Sequence, residues 1–131
     1  MYLYGGKNFE RHNLVSIYYN GKWQRYQPKP GELNQGPKSP GRVSHASVGW
    51  GKYMIIFGGE EEYKIKDNKR SCLNDIWFFD VTKMIWMDKT CGYRPSCRRN
   101  HKAVVVDKQM IVFGGISTYG VYLKDMWSYN L

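Results

Sequence analysis

The six residues MIIFGG, Met54 to Gly59, decide how this chain is read, because they occur three times in closely related form. MYLYGG spans Met1 to Gly6 and MIVFGG spans Met110 to Gly115. The leading glycines, Gly5, Gly58 and Gly114, stand 53 and 56 residues apart, so the chain is an array of similar units of about 50 residues. Met54, Ile55, Ile56 and Phe57 are apolar without alternation, the pattern of a strand that needs cover on both faces. Neighbouring units supply that cover when they stack. A glycine pair at the end of such a strand permits positive φ and close approach to another backbone.

The register runs well past the glycines. Downstream lies an aromatic strand: LNDIWFFD at Leu73 to Asp80, LKDMWSYN at Leu123 to Asn130, and a weaker NLVSIYYN at Asn13 to Asn20. A tryptophan then opens a further strand, at Trp23 and Trp86. Upstream, Arg42 and His45 stand to Gly58 as Arg98 and His101 stand to Gly114. Short turns are expected at Gly51-Lys52, Asp107-Lys108 and Val81 to Lys83, and Asn20-Gly21 is a strong two-residue hairpin signal. Pro28, Pro30, Pro37 and Pro40 mark residues 24 to 41 as a connection between units rather than a strand.

This pattern resembles the kelch repeat over nearly the whole chain. In that family a blade has strand a carrying R-x-x-H, strand b ending in Gly-Gly, strand c carrying D-x-W, and strand d opening with Trp. The middle unit has every part: Arg42, His45, Gly58, Gly59, Asp75, Trp77 and Trp86. The third repeats Arg98, His101, Gly114, Gly115, Asp125 and Trp127, and ends at Leu131 before a strand d. The first keeps Gly5 and Gly6, with Val15 and Ile17 aligned to Asp75 and Trp77 and nothing ahead of strand b. The resemblance implies an all-β, partial propeller of about two and a half blades, open rather than closed. Its units are approximately 1–26 (b-c-d), 42–88 (a-b-c-d) and 98–131 (a-b-c). Propellers have four to eight blades, so the chain is expected to be a segment of a longer one. Alone it would leave apolar faces and strand edges open.

The function classes narrow accordingly. No apolar run is long enough to cross a bilayer, and the N-terminus lacks a signal-peptide pattern. Cys72, Cys91 and Cys97 are odd in number and do not recur at equivalent positions, so a reducing, cytoplasmic setting is expected. Cys91, Cys97 and His101 lack a fourth ligand and a familiar metal-site spacing. No metal, cofactor or catalytic set is therefore expected. His45 and His101, being recurrent, are expected to close turns or satisfy buried backbone groups, and Trp23 and Trp86 to fill space between sheets.

In an up-and-down blade the a-b and c-d turns share one end and the b-c and d-a connections share the other. The short turns fall at the first end and the long segments at the second, including residues 60–72, 87–97 and 116–122. Long loops gathered on one side of a repeat array form its binding surface. The formal net charge is +9, and many cations lie on that side. Lys64, Lys66, Lys69, Arg70, Arg94, Arg98 and Arg99 are the candidate partner-binding residues. Such a face suits an acidic protein segment; nucleic acid is disfavoured because no recognition module accompanies the charge. Missing blades or another copy are expected to cover the open edges. Kelch-like propellers often serve as scaffold or substrate-recruiting domains, so the resemblance implies a non-enzymatic interaction module. A fragment of a propeller enzyme, oxidase or metal-dependent, is the alternative, with its catalytic groups outside this chain.

Overall fold

The computed structural model describes residues 1–7, 14–26, 39, 41–61 and 72–131. Its regular elements are all strands, arranged in three antiparallel sheets. The first sheet is β1 (Tyr2–Tyr4), β2 (Val15–Tyr19) and β3 (Lys22–Tyr26). The second, with four strands, is β4 (Ala46–Trp50), β5 (Tyr53–Glu60), β6 (Cys72–Asp80) and β7 (Ile85–Asp88). The third is β8 (Lys102–Val106), β9 (Gln109–Phe113) and β10 (Met126–Asn130). Within each sheet the strands neighbour one another in chain order.

β5 carries the core. Met54 and Ile56 point toward the first sheet, where they pack with Tyr4, Val15, Trp77 and Phe79. Ile55 and Phe57 point the other way and meet Met110 and Val112 of the third sheet. All four are buried, as an unbroken apolar strand between two neighbours requires. Each such side chain contributes roughly 1.5–3 kcal/mol when fully removed from water.

Stacking ends at the outer faces. In the second sheet Val48, Trp50, Phe57 and Ile76 are covered by the third. Their counterparts Val104, Val106, Phe113 and Met126 are 54%, 49%, 56% and 70% exposed. The three sheets therefore form an open arc in this chain.

Pairing corrects the alignment of the first unit. Tyr4 lies opposite Val15 as Phe57 lies opposite Ile76. Val15 and Ile17 thus correspond to Ile76 and Phe78, and the residues at the Asp75 and Trp77 positions are Leu14 and Ser16. The slip of one residue matters because side chains alternate between faces: Val15 and Ile17 face the core, which is why they are apolar. Trp86 fills the space between the first two sheets as expected. Trp23 does not, being half exposed on the uncovered face of the first sheet with Tyr18 5.1 Å away.

The turns take the predicted ends. Asn20 (φ 48°) and Gly21 (φ 75°) both adopt positive φ, the requirement of a tight two-residue hairpin. At the same end Asp80 organises the β6-β7 turn, accepting from the Thr82 hydroxyl and from the Thr82 and Lys83 amides, with Lys52 Nζ 3.0 Å away. Those contacts, the Thr82 hydroxyl foremost, hold its carboxyl well below the usual range.

Candidate binding face

At the opposite end the second and third sheets are each locked by a buried arginine. Arg42 sits just before β4, and its guanidinium donates to Asp75 in two parallel bonds of 2.6 and 2.7 Å and to the Gly58 carbonyl at 2.9 Å. Arg98 repeats this before β8, with two 2.9 Å bonds to Asp125 and one of 3.0 Å to the Gly114 carbonyl. The Trp77 and Trp127 indoles each donate to the same carboxylate at 2.7 Å. One arginine thereby joins strands b and c of its own sheet, and the planar guanidinium suits the two-oxygen acceptor. The Arg98 bonds hold the Asp125 carboxyl down to about 2 against the opposing effect of burial. Burial likewise pushes the Asp75 carboxyl up, but the Arg42 bonds and charge outweigh it and the net shift is downward.

The backbone of the same segment holds the preceding sheet. Arg42 O accepts from the Gly6 amide at 3.1 Å, and Arg98 O accepts from the Gly59 amide at 2.9 Å. This explains the glycine pair. A Cβ on Gly58 would lie 2.8 Å from Arg98 O and 2.9 Å from His101 Cε1, in the next unit, while one on Gly59 would lie 2.7 Å from Val43 O in its own. His45 and His101 pack edge-on against Tyr4 and Phe57, at 5.9 and 5.3 Å. Burial first, and the adjacent arginine charge second, lower both imidazoles to about 4. They are neutral at pH 7 and serve as packed rings between sheets.

Arg98 consequently leaves the set of candidate contact residues. Its side chain is fully buried and its charge is spent on Asp125, so it cannot meet a partner. Arg99 is partly committed as well: Nε lies 3.3 Å from Glu60 Oε2, with a fifth of its side chain exposed. Arg94 remains exposed, its Nη1 donating to Cys91 O at 2.6 Å, which steadies the loop rather than neutralising the cation. Lys64, Lys66, Lys69 and Arg70 lie outside the described residues.

Aromatic side chains that sequence reading passed over lie on these loops. Tyr93 is 86% exposed, Tyr119 89% and Tyr122 76%. They occupy no repeat position, so the periodicity that located the core was blind to them; their placement within long loops was the available signal. Beside them, Cys72 Sγ and Cys97 Sγ lie 2.8 and 3.1 Å from the Thr118 hydroxyl. Burial pushes the Cys72 thiol up to about 11. Among the described residues no group of three or more His, Cys, Asp or Glu could hold a metal ion.

A sheet locked by Arg, Asp and Trp, joined to its neighbour through a glycine pair and a buried histidine, matches a known family. The description KLHDC2/KLHL20/DRC7 Kelch-repeats domain fits residues 1–131. The chain belongs to the kelch-repeat family. Kelch domains are commonly protein-interaction modules, and the relatives of this one are diverse. An F-box/kelch-repeat protein of Arabidopsis thaliana is 33% identical over 99 residues, 70% of this chain and 20% of that protein. Acyl-CoA-binding domain-containing protein 4 of the same plant is 38% identical over 81 residues, 60% of this chain and 11% of its own length. Tip elongation aberrant protein 1 of Schizosaccharomyces pombe is 29% identical over 91 residues, 69% of this chain and 8% of its own. The kelch chain thus spans a fifth or less of the length of each.

Proposed function

We propose that this kelch chain is a non-enzymatic protein-interaction module, acting in the cytoplasm, whose long-loop face receives an acidic segment of a partner protein. The observation that carries the reading is the division between the two ends of the sheets. One end is closed by two- to four-residue turns; the other bears the exposed Tyr93, Arg94, Tyr119 and Tyr122 above sheets held rigid by buried ion pairs. Tyrosine and arginine on a rigid support are the residue types that carry binding energy at interfaces. The surplus of cations over carboxylates in the chain favours an acidic partner. The three free thiols fit a reducing compartment.

The test is charge reversal in the full-length protein, read as binding of fluorescein-labelled acidic peptides at two salt concentrations. Arg94→Glu, and a triple reversal of Lys64, Lys66 and Lys69, should weaken binding severalfold and flatten its salt dependence. Reversal of Lys83 and Lys108, exposed at the short-turn end, is the control. Lys52 is unsuitable because it pairs with Asp80. Equal effects from the two sets would overturn the loop face as the docking surface.

A further inference from the structure

Two of the three cysteines meet at one hydroxyl. Cys72 opens β6, Cys97 stands just ahead of the Arg98 lock, and Thr118 lies in the connection between β9 and β10. Cys72 Sγ and Cys97 Sγ are 2.8 and 3.1 Å from Thr118 Oγ1, and the two thiols also interact directly. The backbone holds them there: Arg98 N, next to Cys97, donates to Leu73 O, next to Cys72, at 3.0 Å. No duty of the repeat accounts for the pair, because the equivalent positions hold Tyr122 and Gly41. Cys91, by contrast, is exposed and donates to Tyr93 O within its own loop.

The two sulfurs are unlike. Cys72 is buried, whereas Cys97 is only half-buried and within reach of a molecule as small as a peroxide. Burial raises the Cys97 thiol, but hydrogen bonds from Cys72 and Thr118 and the nearby Arg98 charge outweigh it, so its net shift is downward, opposite to that of Cys72. A thiolate only accepts hydrogen bonds. With Cys97 ionised, the Thr118 hydroxyl therefore donates to it and accepts from the Cys72 thiol. An ionised, accessible sulfur beside a protonated, buried one is the arrangement of an attacking and a resolving cysteine.

The geometry points to a peroxide-responsive dithiol: oxidation of Cys72 and Cys97 to a disulfide staples β6 to the segment entering β8 and unhooks the Thr118 loop. The Cys97 thiolate attacks one oxygen of hydrogen peroxide; an S–O bond forms, the O–O bond breaks and hydroxide leaves, giving the sulfenic acid. The Cys72 sulfur then attacks the Cys97 sulfur. An S–S bond forms, the S–O bond breaks, and the departing hydroxide takes the Cys72 proton and leaves as water. The two thiols lose two electrons, the peroxide gains them, and a reducing dithiol reverses the change. The disulfide has neither an S–H to donate nor a charge to attract a donor, so Thr118 keeps only the long 3.4 Å contact from Cys72 N. Its loop tip is then left to the bonds within it, Ser117 N to Val121 O and Gly120 N to Ser117 O. A reversible disulfide of this kind suits a reducing compartment. The switch needs no partner and stands whether or not the loop face docks one.

The experiment treats the full-length protein with micromolar hydrogen peroxide at neutral pH, blocks the remaining thiols with iodoacetamide and maps the unreduced digest by mass spectrometry. A peptide linked through Cys72 and Cys97 is expected, removed by dithiothreitol, with Cys91 recovered alkylated. Cys72→Ser should stop at a Cys97 sulfenic acid trapped by dimedone, whereas Cys97→Ser should leave Cys72 unmodified. Hydrogen exchange at residues 117–121 should quicken by about fivefold in the linked form, the worth of one ordinary hydrogen bond. Thr118→Val should quicken it as much without peroxide and still allow the link. Because a variant can fail to fold, the mapping and the exchange on the unaltered protein stand without any of the three. A link from Cys97 to Cys91, dimedone on Cys72, or both cysteines still reduced at doses that oxidise Cys91 would overturn the dithiol. Unchanged exchange in the linked form would overturn its hold on the loop.

Discussion

Replacing Gly58 and Gly114 by alanine, one at a time, separates backbone strain from contact between sheets. The two positions are equivalent in the repeat and share a left-handed backbone, φ 61° and 66°. An alanine costs about 1–2 kcal/mol at either for that conformation alone. Their surroundings differ. At Gly114 the added Cβ meets only Leu123 O, at 3.4 Å, an ordinary contact. At Gly58 it stands 2.8 Å from Arg98 O and 3.2 Å from Leu73 O, both backbone atoms without the freedom of a side-chain tip. Arg98 O must retreat, and it is the acceptor for Gly59 N. Losing that bond costs about 1 kcal/mol, and overpacking adds about 1–3 kcal/mol. Gly58→Ala should therefore lose about 2–4 kcal/mol more than Gly114→Ala. With a urea slope of about 2 kcal/mol per molar, the midpoints should separate by about 1–2 M in equilibrium unfolding followed by tryptophan fluorescence. Equal midpoints for the two variants would refute the claim that the glycine pair exists to admit the next unit.

Three further outcomes follow from the buried groups. His45 and His101 are lowered to about 4 in the fold against 6.5 when unfolded, so stability should be full above about pH 6.5 and fall as pH drops toward 4, by up to about 3 kcal/mol per pH unit for two groups; urea midpoints at pH 7.5 and 5 that coincide would contradict this. Arg42→Met should destabilise by about 3–4 kcal/mol and Arg98→Met by about 2 kcal/mol, because the abandoned Asp75 side chain is 21% exposed and Asp125 42%; thermal melts in the reverse order would sink the argument. Pulsed alkylation at pH 8 with mass-spectrometric readout should modify exposed Cys91 first, then Cys97, then Cys72, whose burial pushes its thiol up to about 11; Cys72 reacting first would show that its burial is wrongly assigned.

Much of the scaffold was legible in the sequence because it repeats. The apolar run Met54 to Phe57 and the paired glycines are imposed by stacking, and the spacing of Arg42, Asp75 and Trp77 by the lock within a sheet, which recurs as Arg98, Asp125 and Trp127. The first unit was misaligned by one residue for the same reason in reverse: Leu14 and Ser16 carry neither the carboxylate nor the indole, and only the pairing of Tyr4 with Val15 shows the register.

The sequence by itself determined the number of units and the alternation of short turns and long connections. The tertiary structure decided which charges are available. Arg94 and Arg98 are four residues apart and were both expected to contact a partner, yet one is exposed and the other is locked onto Asp125, which stands just ahead of β10 and 27 residues away in sequence. It also decided that the glycine pair and R-x-x-H are one joint, Arg98 O on Gly59 N. Composition and spacing record which groups a chain has; burial and partners depend on contacts between distant segments, and those exist only once the sheets have stacked.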